Sequence, residues 1–222
     1  MSNMLQILNN RFEEIQVPAE YQKLWDDINY PIQSKKAAFY SLTEQERLDI
    51  FNRLSKRAFY LTTVAKNFDA KNIVEVGTAE GWQFFSFAEY CRKNNGKVWS
   101  CDISDKYDKH YMNTYSDVAS FTLGTSKELA KQLETQNVEV DLFYIDGSHE
   151  KGAVFEDIIN LKRFQNKNKM PIWIFDDFDE RFGCYQDILQ ITKIAPQYMV
   201  YSPGKTASNN PTHQLIMRGR FT

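Results

Sequence analysis

Apolar residues recur at helical spacing through the first third of the chain. Leu5, Leu8, Phe12 and Ile15 form one stripe, and Tyr21, Leu24, Trp25 and Ile28 form another. Pro18 and Pro31 punctuate these runs. Thr43 followed by Glu46 has capping-box spacing and opens a further helix carrying Leu48, Phe51, Leu54 and Leu61. No strand signal precedes Asn72. From there short β-rich runs alternate with amphipathic ones. Strands are expected at Asn72–Val76, Val98–Ile103, Phe121–Leu123, Val140–Ile145 and Ile172–Phe175. Helices are expected at Trp82–Arg92, at Ser126–Thr135 with Ser126 as the cap, and at Val154–Phe164. Such alternation implies βαβ crossovers and a largely parallel sheet. The tail differs: Tyr198–Ser202 and Gln214–Met217 are β-type runs joined by Pro203–Thr212, with no helix between them, and they pair antiparallel at the sheet edge. The expectation is an α/β fold: a helical segment over residues 1–68, then a domain over 69–222 with a seven-stranded, mostly parallel sheet and a C-terminal antiparallel hairpin. Asp102–Asp117, polar and carrying Tyr107, Tyr111 and Tyr115, reads as a mobile loop beside the site.

Composition supports one globular α/β unit. The 222 residues are 42% hydrophobic and 14% aromatic, enough to build a core. The formal net charge of −2 is spread along the chain and gives no footprint for nucleic acid or an anionic membrane, so neither partner is expected. Cys91, Cys101 and Cys184 show no CxxC spacing and read as reduced thiols. There is no signal-peptide pattern in Met1–Arg11, and no apolar run approaches the roughly 18 residues of a membrane span. A cytoplasmic protein is the expectation.

The candidate chemistry starts at IVEVGTAEGWQ, residues 73–83, where a buried strand runs into Gly77 and Gly81 opens the next helix. Glycines at the carboxyl end of a strand allow close backbone approach to a ligand. The middle glycine of the dinucleotide fingerprint is missing, and Glu75 and Glu80 suit a cationic ligand better than a phosphate. Asp102, at the end of the second strand, can accept ribose hydroxyls. Asp146 ends one strand and Asp176-Asp177 the next, so three carboxylates are expected to converge on one sheet edge. A hard divalent cation such as Mg²⁺ relieves that repulsion.

Taken in order, VEVGTAEG, CDIS, LGTS, YIDGSHEKGAVFEDI and IFDDF resemble the class I S-adenosylmethionine-dependent methyltransferases. The match is to the branch with Ile-Asp-Gly-x-His that includes small-molecule and sugar O-methyltransferases. It covers about residues 70–180. It implies a Rossmann-like fold and a set of roles. Glu75, Gly77, Thr78 and Gly81 border the methionine end of S-adenosylmethionine, and Asp102 holds the ribose. Gly124, Thr125 and Ser126 border the adenine, where many relatives have an aspartate in place of Ser126. Asp146 and His149 face the sulfonium, with His149 a general base, a carboxylate-orienting group or an adenine neighbour. Asp146, Asp176 and Asp177 are the implied metal ligands. Asp157 reads as a structural hydrogen-bonding partner. The implied activity is methylation of a small-molecule hydroxyl, with the helical segment as acceptor cover and homodimer contact and with Trp25 and Tyr30 as acceptor neighbours. Two other readings of the same pattern stay open: an S-adenosylmethionine-binding protein without catalysis, and a nicotinamide-dependent oxidoreductase.

Overall fold

The computed structural model describes residues 16–33, 43–194, 199–201 and 214–222. The first expected helical stripe, the Pro203–Thr212 loop and His213 lie outside them. Helix α1 (Ala19–Gln33) starts directly after Pro18 and runs on past Pro31, while α2 (Glu44–Asn67) starts directly after Thr43. Next come β1 (Asn72–Val76), α3 (Trp82–Lys93), β2 (Lys97–Asp102), α4 (Lys109–Thr114), β3 (Ala119–Leu123) and α5 (Ser126–Thr135). The chain continues with β4 (Leu142–Ile145), α6 (Ala153–Leu161) and a 3₁₀ turn at Lys162–Phe164. It ends with β5 (Ile172–Phe175), α7 (Tyr185–Ile194), β6 (Met199–Tyr201) and β7 (Leu215–Arg218).

The strands form one sheet in the order β3-β2-β1-β4-β5-β7-β6. The first five are parallel, and β7 runs antiparallel to both β5 and β6. From β1 the chain winds outward to β2 and β3, then returns to add β4 and β5 on the other side. The crevice at the carboxyl ends of β1 and β4 is therefore a topological switch point, where open α/β sheets bind ligands.

Period-two alternation assigns the two faces. Ile73, Leu142, Tyr144, Ile172, Ile174 and Ile216 point into one core with Leu24 and Ile28 of α1, Tyr60 and Leu61 of α2, and the aromatic face of α3. Val74, Val76, Phe143, Ile145, Trp173 and Phe175 point into the other core, against α5, α6 and α7. The helical segment is thus one wall of the first core. Trp25 Nε1 also donates to Ser86 Oγ at 3.0 Å, tying α1 to α3.

Several local expectations are corrected. Thr125, not Ser126, caps α5: its side chain accepts from Lys127 N–H in a capping box with Glu128. The stretch after Asp102 contains α4, capped by the Asp108 side chain. Its tyrosines are anchored: Tyr115 is buried and donates to Glu89 Oε2 at 2.9 Å, and Tyr111 donates to Asp27 of α1. Val140 makes only an isolated bridge to Gln165, and β4 starts at Leu142. α7 has no counterpart in the sequence reading. All three thiols are free and buried, and no helix among the described residues is long and apolar enough to cross a membrane.

Glu75 is fully buried in β1, facing the first core. Ser100 Oγ donates to its Oε2 at 2.5 Å, and Ser100 in turn shares a 2.6 Å hydrogen bond with Thr78. Burial, reinforced by the charge of Asp102 and opposed by Ser100, pushes the Glu75 carboxyl up to about 8. The unfolded chain releases this proton near pH ~4.3. Stability is therefore lost as pH rises between that value and the folded one, by up to about 1.4 kcal/mol per pH unit. Chemical denaturation from pH 5 to pH 8 is expected to show wild type falling relative to Glu75→Gln, and parallel curves would contradict this. Leu61→Ala, at a fully buried position on α2, is expected to cost about 2–5 kcal/mol in the same assay. Ile103→Ala, at a residue 81% exposed, is expected to stay within about 0.5 kcal/mol of wild type.

Candidate active site

The site is built from the loops that follow β1, β2, β3 and β4. Gly77 leaves β1 with φ of 94°, and a Cβ placed there would come within 1.9 Å of the Asp146 carbonyl oxygen. Asp146 N–H donates to the Val76 carbonyl at 2.8 Å, so the ends of β1 and β4 are laced together. Only glycine permits this approach. Past it opens a cavity of about 510 Å³, within the range of small-molecule sites.

Asp102 borders the cavity and fixes the turn after β1. Its Oδ2 accepts from Ala79 N–H at 2.8 Å, and its Oδ1 accepts from the Ser104 backbone N–H at 2.9 Å and the Ser104 hydroxyl at 3.0 Å. A carboxylate has about four lone-pair sites, so one on Oδ2 stays open. Ala79 stands where a dinucleotide fingerprint has its middle glycine. It takes φ of 45° and lines the cavity, so a side chain fills the space a pyrophosphate would approach. Ile103, Gly124, Thr125 and Ser126 also line the cavity, as do Gly147, Ser148 and His149 of the loop after β4.

The acidic cluster divides in two. Asp146, His149 and Asp177 each offer a ligand atom, all within 4.8 Å of one another. His149 Nε2 lies 2.7 Å from Asp177 Oδ2, and Phe182 meets the imidazole edge-on. The His149 carbonyl accepts from Cys184 N–H at 2.9 Å, which joins the β4 and β5 loops. Asp176 turns the other way. Its Oδ2 is 3.1 Å from Nη1 of Arg57 on α2 and accepts from Tyr144 Oη at 2.7 Å. Tyr144 Oη also lies 2.9 Å from Asp146 Oδ2. A phenol has one hydrogen, so it serves one of these carboxylates at a time and the other needs a proton or a cation.

The electrostatics agree. Burial, with Asp176 close by, drives the Asp146 carboxyl well above the usual range, against the pull of Arg57. Burial and Asp176 lift Asp177 to about 6, opposed by His149 and Arg57. Burial alone would lower the Arg57 pKa, but the surrounding Asp176, Tyr144, Asp146 and Asp177 raise it instead.

The predicted residues therefore separate. Gly77, Asp102, Gly124, Thr125, Ser126, Asp146 and His149 all line the cavity. Glu75, Thr78 and Gly81 do not: Glu75 and Thr78 lie beneath the turn, and Gly81 packs on Phe85. Of the expected metal ligands Asp146, Asp176 and Asp177, the structure brings Asp146 and Asp177 together with His149, while Asp176 pairs with Arg57 and Tyr144 instead. His110 sits exposed on α4, away from this cluster. Arg57 and Tyr144 were missed, and Asp157 lines the cavity instead of only bracing a helix. Tyr144 was findable, since it stands on β4 two residues before Asp146, which directly follows the strand, so alternation puts both on one face. Arg57 carries no local signal.

Residues 74–178 match the family model described as a methyltransferase domain. A search of curated proteins finds no match. Among solved structures, the S-adenosylhomocysteine-bound methyltransferase PaMTH1 of Podospora anserina is similar, with 13% identity, 99% of this chain and 96% of that one covered, and a TM-score of 0.63. The O-methyltransferase of Bacillus cereus in complex with S-adenosylhomocysteine is similar at 14% identity, with both chains covered in full and a TM-score of 0.62. Residues 74–178 thus match a model described as a methyltransferase domain, and the chain has the fold of these S-adenosylhomocysteine-bound methyltransferases.

Proposed function

We propose that this protein transfers the methyl group of S-adenosylmethionine to a hydroxyl of a small molecule, a sugar or secondary metabolite. The observation that carries this reading is the cavity at the β1/β4 switch point within the matched domain. It has Asp102 on one wall and the Asp146–His149 end on another. Asp102 accepts from the ribose through its open Oδ2 site, and turning the Ser104 hydroxyl away frees a second. The Gly77 turn borders the homocysteine, and the sulfonium points toward Asp146 and His149.

In the transfer, the acceptor oxygen attacks the methyl carbon in line with the departing sulfur. The C–O bond forms as the S–C bond breaks, and the sulfur keeps the electron pair. The hydroxyl proton must leave, and His149 is placed to take it. Asp177 holds Nε2–H, which leaves Nδ1 as the accepting nitrogen, and its carboxylate stabilises the imidazolium that forms. In an alternative state, in which His149 does not serve as the base, Asp146, Asp177 and an imidazole nitrogen of His149 would make a donor set for a divalent cation, with Mn²⁺ suited to the mixed oxygen and nitrogen ligands better than Mg²⁺. When bound there, such a cation lowers the pKa of the acceptor hydroxyl. The helical segment serves as acceptor cover and homodimer contact.

Calorimetric titration with S-adenosylhomocysteine tests the reading. Micromolar binding is expected for wild type and none for NADH. Asp102→Ala is expected to weaken binding about 10- to 100-fold, as for hydrogen bonds to a charged group. Mn²⁺ is expected to bind more tightly than Mg²⁺, and Asp177→Ala to remove that binding. Absence of S-adenosylhomocysteine binding would sink the reading.

A further inference from the structure

Arg57 is a cation that the proposed transfer does not use. It reaches from α2 to Asp176, with Nη1 3.1 Å from Oδ2, and its side chain is 23% exposed against 2% for that of Asp176. Asp176 Oδ1 is buried and has no hydrogen-bond partner among the described residues. All compensation for this carboxylate therefore falls on Oδ2, from Arg57 and from the Tyr144 hydroxyl. Tyr144 Oη touches Asp146 Oδ2 as well, so Asp176 and Asp146 are close neighbours. Without Arg57, Asp176 would keep only a phenolic hydrogen that Asp146 also claims. A buried carboxylate in that state is strongly unfavourable, and a dication shared with Asp146 is the remedy within reach. The Arg57 charge also acts on Asp146 and Asp177, two of the three groups that converge with His149. It therefore opposes a second cation among them.

We propose that Arg57 governs cation binding at the candidate site: it withholds Asp176 as a third carboxylate ligand, and so favours the state in which His149 is free to act as the base. The inference rests on the proposed transfer, in which His149 is either base or ligand. Two effects work together. Asp176 engages Arg57 in place of a metal, which leaves Asp146, Asp177 and His149 as a mixed oxygen and nitrogen set. The guanidinium, charged at every working pH, also repels a dication. Repulsion weakens Mg²⁺ and Mn²⁺ alike. Withholding an oxygen ligand does not, because Mg²⁺ depends on hard oxygen ligands more than Mn²⁺ does. The ratio of the two affinities thus reports the part played by Asp176, with repulsion cancelled.

The test is calorimetric titration of the full chain with Mg²⁺, with Mn²⁺ and with S-adenosylhomocysteine, for wild type, Arg57→Ala and the double variant Arg57→Ala/Asp176→Asn. Arg57→Ala is expected to bind both cations more tightly and to shift the ratio toward Mg²⁺ by about 10-fold, the low end of what partners outside a ligand set contribute to metal affinity. The double variant is expected to return the ratio to the wild-type value. Electron spin-echo spectroscopy of Mn²⁺-loaded wild type needs no variant to fold: a nitrogen coupling from His149 is expected, and an all-oxygen ligand set would overturn the proposal. An Arg57→Ala ratio equal to wild type, or a shifted ratio that survives Asp176→Asn, would overturn it as well. If S-adenosylhomocysteine binds but neither cation binds wild type or variants, the proposal fails and the transfer reading stands. If S-adenosylhomocysteine does not bind either, both fail.

Discussion

The contact between Gly77 and the Asp146 carbonyl governs the site. At that point the carboxyl ends of β1 and β4 approach so closely that no Cβ fits, and the Asp146–Val76 hydrogen bond holds them there. The turn after β1 is pinned from the other side by Asp102, which accepts from Ala79 N–H. These two ties hold Asp146 and Asp102 in the cavity wall. Core packing on both faces of the sheet supplies the rigidity that keeps them in place.

The second governing feature is how charge is distributed among Asp146, Asp176 and Asp177. Strand alternation sends Asp176 to the face of Ile172 and Ile174, where α2 delivers Arg57. Asp177, one residue on and at φ of 55°, joins His149 instead. A crowded anionic cluster becomes an ion pair behind the sheet edge and an acid–imidazole pair at the cavity. Tyr144 bridges the two through a single hydroxyl. The N-terminal helical segment therefore contributes a charge as well as a wall.

The parallel sheet, its terminal antiparallel strands and most of the cavity wall were legible in the sequence, because both rest on local patterns. Period-two runs mark strands, and a strand running into Gly77 or Asp102 marks a loop at the carboxyl edge. What was not legible depends on direction and on partners distant in the chain. The Asp176-Asp177 pair reads as one unit until alternation is applied, and then its members must diverge. Arg57 is one basic residue among several on a helix, and only packing brings it to Asp176. The tyrosine-rich stretch after Asp102 reads as a polar loop because its anchors, Asp27 and Glu89, lie far away in sequence. Ser126 resembles a helix cap and an adenine contact, yet Thr125 takes the first role.

The measurement that tests the central claim most directly is a crystal structure of the protein grown with S-adenosylhomocysteine. The account predicts the nucleoside in the β1/β4 cavity, with ribose hydroxyls on Asp102, the purine beside Gly124, Thr125 and Ser126, and the sulfur facing Asp146 and His149. Density for the ligand elsewhere, or a cavity that stays empty at saturating concentration, would contradict it.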